Sequence, residues 1–194
     1  MLEIIKNQLL ESSRIKTDLA SGKEIEKVVE LIEIIKKSLQ NRNKIIFAGN
    51  GGSFADSIHL AAEFVCRFKF DRAPLAALAL GANNSALTAI GNDYGYEDVF
   101  VRELEALGQK GDVFIGFTTS GNSKNIIKCV EKSNEMGIQS YVFTGSFGGK
   151  IARLCPCIFV PSDDVPRIQE CHITLGHLIC EIIEFDLVKK WIQI

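Results

Sequence analysis

Residues 44–64 read KIIFAGNGGSFADSIHLAAEF. The run Lys44–Ala48 is of strand length, and its apolar residues do not alternate with polar ones, as suits a strand covered on both faces. It passes through Gly49, Asn50, Gly51, Gly52 and Ser53 straight into a helical pattern. At such a junction the free N–H groups and dipole of the helix favour an anion, and glycines let the backbone approach it closely. The stretch therefore predicts a strand–loop–helix unit with an anion cradle in its loop.

Working outward, four more apolar runs have strand length: Leu75–Leu80, Val113–Phe117, Ser140–Phe143 and Cys157–Val160. Helical patterns near 53–69, 97–107, 123–136 and 147–154 lie between most of them. Alternation of this kind implies a parallel sheet wrapped by helices. A last long helix begins near Pro166, since proline suits a first turn, and runs toward Trp191. Ahead of the sheet come two amphipathic patterns, 2–19 and 23–40, separated by Ser21-Gly22. Leu2, Ile5 and Leu9 form one stripe; Val28, Leu31, Ile32, Ile35 and Leu39 form the other. The expected fold is α/β, a three-layer sandwich around a five-stranded parallel sheet, preceded by two N-terminal helices. Residues 1–40 are a helical extension of the same domain and 41–194 the sheet domain. The helical pair could cover the sheet or pack on another subunit, and the sequence leaves both open.

Bulk properties narrow the partners. A net charge of −2, with no long run of one sign, does not suggest a nucleic-acid or anionic-membrane surface. No apolar stretch approaches bilayer-spanning length, and the charged amino terminus lacks a signal-peptide core. The six cysteines include one lone C-x-C, Cys155 and Cys157, with no second pair at zinc-finger spacing. Reduced structural thiols in a cytoplasmic protein are the expectation.

The third strand run also ends in a polar loop, Thr118, Thr119, Ser120, Gly121, Asn122 and Ser123. Ligands of parallel sheets bind beyond the carboxyl ends of strands. Hydroxyls there add donors without charge, so a phosphate cradle is the natural reading. Ser, Asn and Gly also cap helices and form turns, so either loop alone is ambiguous. Residues 49–54 lack the last glycine of the dinucleotide fingerprint, and no Gly-Lys-Ser/Thr triplet exists for a P-loop.

His59 and Glu63 are four residues apart on the helix after the first loop and share a face. On the final helix Gln169 and His177, eight apart, fall on roughly one side, while His172 points about 140° away from His177. A carboxylate and an imidazole beside a phosphate suit aldose–ketose isomerisation: one takes a carbon-bound proton, the other moves protons at the oxygens. The same pair could equally be a solvated helix face. His59, Glu63, Gln169 and His177 could also surround a divalent metal, since two histidines and a glutamate are a known zinc set.

Four stretches, GNGGSFADSIHLAAEF, AIGNDYGYEDVF, TTSGNSKNII and RIQECHITLGH, resemble in order those of the phosphoheptose isomerases, members of the sugar isomerase (SIS) fold. The resemblance covers about residues 44–185. It implies conversion of sedoheptulose 7-phosphate to D-glycero-D-manno-heptose 7-phosphate for bacterial lipopolysaccharide or capsule. It implies a homotetramer with sites between subunits, and zinc as a cofactor with no nucleotide. It also implies substrate contacts from Asn50, Gly51, Gly52, Asn92, Asp93 and Gln169, and phosphate contacts from Thr118, Thr119, Ser120 and Ser123 with Ser53 nearby. Glu63 would be the base and His177 the acid, with zinc on His59, Glu63, Gln169 and His177. Thr118 stands where a serine is usual, and Phe54 and Pro166 are less typical. The rival is a non-catalytic relative that binds the replication initiator or senses a sugar phosphate; such proteins typically lack the Glu/His pair present here.

Overall fold

The computed structural model describes the backbone of residues 1–192 and the side chains of residues 1–187; the expected domain limit at 194 lies outside the described residues. Five parallel strands, β1 (Ile45–Gly49), β2 (Ala77–Ala79), β3 (Val113–Phe117), β4 (Gln139–Thr144) and β5 (Cys157–Phe159), form one sheet in the order β2-β1-β3-β4-β5. Winding reverses between β1 and β3. In doubly wound sheets the crevice at such a reversal is where ligands bind, and both polar loops leave the sheet there.

Alternate residues of each strand serve opposite faces. Ile45 and Phe47 join one apolar cluster while Ile46 and Ala48 join the other. The lack of alternation in these runs thus has its cause in two covered faces. Helices α1 (Leu2–Ser21), α2 (Glu24–Gln40), α3 (Gly52–Val65) and α7 (Val165–Ile192) lie on the first face. The second is covered by α5 (Val101–Leu107) and α6 (Lys124–Met136), with α4 (Asn84–Asp93) at its edge through Leu87 and Ile90.

The open question about the N-terminal pair divides between its members. Helix α2 covers the sheet through Val28, Leu31, Ile32 and Ile35. Helix α1 buries only Ile15 and Leu19, and leaves Leu2, Ile5 and Leu9 exposed.

Two expected elements differ and one helix is additional. The pattern at 97–107 begins with a 3-10 turn at Tyr96–Asp98, and only Val101–Leu107 is α-helix. Near 147–154 there is only a 3-10 turn, Ile151–Arg153, because Gly148 and Gly149 both take positive φ. Helix α4 had no counterpart in the sequence reading. No described helix is long and apolar enough to cross a membrane.

Candidate active site

Helix α3 starts where the sequence places the first loop. Gly51, its N-cap, has φ 58° and ψ −121°, a conformation that a side chain would strain. The next turns carry His59 and Glu63 on one face. Helix α7 crosses α3 closely: a Cβ on Gly176 would lie 2.5 Å from Leu60 Cδ1. The crossing brings His177 to the pair from α3. His59 Nε2 stands 2.9 Å from His177 Nε2 and 3.1 Å from Glu63 Oε1. One ligand atom from each of His59, Glu63 and His177 lies within 4.8 Å of the others.

His177 is part-buried, and Phe68 stacks on its ring with centroids 5.5 Å apart. Burial lowers its pKa, the neighbouring His59 lowers it further, and Glu63 opposes both. A neutral imidazole is thereby favoured near neutral pH, and a neutral ring can accept one proton and donate another.

Gln169, two turns before His177, places its amide where a Cβ on Gly52 would meet it at 2.7 Å. The start of α7 also touches the second loop: a Cβ on Gly145 would meet Ile168 and the Thr119 carbonyl at 2.7 and 2.8 Å. Both loops and the His/Glu cluster therefore share one wall. Beside the second loop lies a cavity of about 350 Å³, bounded by Thr119, Ser120, Gly145, Ser146, Phe147 and Ile168. That volume is within the range of small-ligand sites.

The candidate phosphate residues are not equivalent. Thr118 is buried and its hydroxyl is bonded to that of Ser123 at 2.9 Å, so it braces the loop from beneath. Thr119 is half-buried and Ser120 exposed. Ser123 is the N-cap of α6, and the first amides of that helix lack intrahelical acceptors. Ser53 is buried at the start of α3. Asn50 is held on both sides. Its amide pairs reciprocally with that of Asn125 at 2.9 Å, and its Oδ1 accepts from the Tyr96 hydroxyl at 2.8 Å.

Asn92 and Asp93 end α4, exposed and bonded to each other at 2.8 Å. They connect to the first loop through Tyr96, and the turn Tyr96–Asp98 is tied to α6 by Lys124–Glu97 and Lys128–Asp98 pairs at 2.6 and 2.9 Å. Asn125, Tyr96 and Phe68 escaped the sequence reading. Asn125 lies inside a quoted motif and could have been found there. Tyr96 lies inside another quoted motif, whereas Phe68 depends on a contact between distant segments.

Comparison with known proteins identifies the family and the fold. Residues 10–145 match the SIS domain family. The chain is 51% identical over 194 residues to the phosphoheptose isomerase of Aneurinibacillus thermoaerophilus, covering 98% of this chain and 97% of that protein. It is 48% identical to the Aquifex aeolicus phosphoheptose isomerase over 185 residues, covering 95% and 96%. Among solved structures, the Neisseria gonorrhoeae phosphoheptose isomerase superposes with a TM-score of 0.89 at 41% identity, covering 94% of this chain and 98% of that one. The fold and the site thus define a SIS-domain protein of the sugar-phosphate isomerase kind. Within that class, the chain belongs to the phosphoheptose isomerase family.

Proposed function

We propose that this chain isomerises sedoheptulose 7-phosphate to D-glycero-D-manno-heptose 7-phosphate, supplying bacterial heptose for lipopolysaccharide or capsule. The observation that carries the chemistry is the convergence of Glu63, His59 and His177 on the wall that also carries the hydroxyl loop. Ser120, Ser123, Thr119 and the α6 amides hold the phosphate, with Thr118 and Ser53 supporting. Glycines 51 and 52, with Asn50, Asn92, Asp93 and Gln169, orient the chain of carbons.

In the ketose, C2 is the carbonyl and C1 carries a hydroxyl. Glu63 takes a proton from C1 while His177 gives one to O2, which leaves an enediol. His177 then accepts the O1 proton and Glu63 returns its proton to C2, so that C1 becomes the aldehyde. Every proton is accounted for, and each group ends as it began.

The same donor set fits zinc. Two imidazole nitrogens only 2.9 Å apart, with a carboxylate oxygen 3.1 Å from one of them, form an arrangement that a shared cation suits. His59, Glu63 and His177 would hold the ion, with the Gln169 amide oxygen as a fourth ligand. When bound, zinc polarises a carbonyl as a Lewis acid. The chain's own part is to keep both histidine rings oriented and to hold the Glu63 carboxylate beside them.

Homotetramer formation, with sites between subunits, belongs to the same reading. It is supported by the exposed apolar stripe of α1 and by the position of Asn92 and Asp93 on an exposed helix end. Six free cysteines support a reducing, cytoplasmic setting.

Incubation with sedoheptulose 7-phosphate, read by NMR, is the test. An aldoheptose 7-phosphate signal is the expected result. A folded, metal-supplied protein that leaves the ketose unchanged overturns the assignment.

A further inference from the structure

Behind the catalytic pair lies a buried ion pair with no part in binding or proton transfer. Glu184 lies on α7 two turns beyond His177, a spacing that returns it to the same side of the helix. It is 1% exposed, and its carboxylate accepts from the backbone N–H groups of Phe68, Lys69 and Phe70 at 2.8, 2.5 and 3.0 Å. Arg72 Nε donates to it at 2.9 Å, and the arginine side chain is itself 7% exposed. The guanidinium has further donors. Nη2 reaches the Glu63 carbonyl at 2.8 Å and Nη1 the Phe64 carbonyl at 2.9 Å.

These carbonyls belong to the last turn of α3, where backbone acceptors have no intrahelical partners. Arg72 therefore caps the helix that carries Glu63, and puts a cation at its negative end. The cap is anchored to α7, the helix that carries His177. The backbone run held by Glu184 contains Phe68, whose ring stacks on His177. A second pair, Lys69 Nζ to Glu181 Oε1 at 2.5 Å, ties the same run to α7. Burial opposes ionisation of Glu184, but the three N–H groups and Arg72 outweigh it and hold its carboxyl below the usual range.

We propose that Glu184 and Arg72 are positioning residues, a clasp that sets the register of α3 against α7 and so the separation of Glu63 from His177. The inference rests on the isomerase reading for its kinetic consequence, and on geometry alone for its effect on the metal-ligating trio. Groups that orient ligands from behind are commonly worth 10- to 100-fold in metal affinity or activity. The phosphate loops, on β1 and β3, are outside the clasp.

Two variants test it. Glu184→Gln keeps the shape and removes the charge; Arg72→Lys keeps the charge and loses the fork that reaches two carbonyls. With folding checked by melting temperature, each should lower kcat by about 10- to 100-fold and weaken Zn²⁺ binding by a similar factor. The KM for sedoheptulose 7-phosphate and the Kd for inorganic phosphate should stay within about twofold. Phe68→Leu, which leaves the ion pair intact, should lower kcat by a smaller factor and serves if the charge variants do not fold. Folded variants with the parent's kcat and zinc affinity overturn the clasp, as does a loss confined to KM. A parent that leaves the ketose unchanged overturns the isomerase reading instead, and zinc affinity of parent and variants then decides the clasp.

Discussion

Glu63 Oε1 lies 3.1 Å from His59 Nε2, so replacing the carboxylate by an amide of the same shape preserves the site while removing the electron pair that would take a proton. Glu63→Gln should retain inorganic-phosphate binding and lower kcat by roughly 10²- to 10⁴-fold, the range for positioned acid–base groups. Isothermal titration with phosphate beside steady-state kinetics reads both, and unchanged turnover removes Glu63 from the role of base. His172 makes a different kind of prediction. It is fully buried between Phe117 and Phe143, and burial pushes its pKa down to about 4, opposed by the Thr144 backbone. The unfolded chain binds a proton near 6.5 where the folded chain refuses it until about 4. Stability is therefore complete above pH 6.5 and falls as pH drops toward 4, by at most about 3 kcal/mol from this group. Asp56 works oppositely. Burial raises it to about 6, against an opposing pull from His59, so it gains stability as pH falls. Comparison of the parent with His172→Phe at pH 7 and pH 4.5, by denaturant midpoint, isolates the histidine. The variant should lose much less stability on acidification; equal losses would contradict the argument.

At the level of elements, β1, β3 and β4 could be read from sequence because both of their faces are buried. The loops could be read because glycine and hydroxyl residues cluster at strand ends. Helix α4 could not. Leu87 and Ile90 are its only large apolar residues, and no residue in it is buried, so its stripe is short and weak. One signal was available: Asn83 accepts from the amides of Ser85 and Ala86, an N-cap arrangement visible as Asn-Asn-Ser. The His59–Glu63 pair was recognisable because it is local. The Arg72–Glu184 clasp was not, because 112 residues separate its partners. The crossing of α3 and α7 depends on Gly176, where a methyl group would lie 2.5 to 2.7 Å from the Leu60 methyls. Leu60 is buried, so the helices must separate to admit one. Gly176→Ala should cost about 1–3 kcal/mol of stability by overpacking and should lower kcat, since the same crossing sets His177 against Glu63. Trimming the opposing side chain with Leu60→Val should restore part of both, as thermal melts and kinetics would show. A Gly176→Ala protein with parental stability and kcat would mean that this contact does not set the site. Gly121 is more demanding still: with φ 66° and Gly148 packed against it, the hydroxyl loop has no room for a side chain there.

Across the whole molecule the two sides of the helical layer are treated unequally. Helix α2 is consumed by the sheet, whereas the first half of α1 presents Leu2, Ile4, Ile5, Leu9 and Leu10 to solvent, each more than half exposed. Ile4, Ile5 and Leu9 line an open groove shared with Ile173 and Thr174 of α7. An apolar surface of this extent is characteristic of an association face. A small net charge offers little repulsion between copies, and a second copy of the chain is the occupant proposed for it above. If so, charges placed on the stripe should separate the subunits without touching the core, because these side chains make none of the buried contacts of the first apolar cluster. Ile5→Asp combined with Leu9→Asp should give a smaller species by light scattering at unchanged secondary structure. Its activity should fall in step with dissociation, as the proposed sites between subunits require. A double variant that keeps the parental mass removes α1 from the interface, and one that dissociates yet retains full kcat shows that each chain carries a complete site.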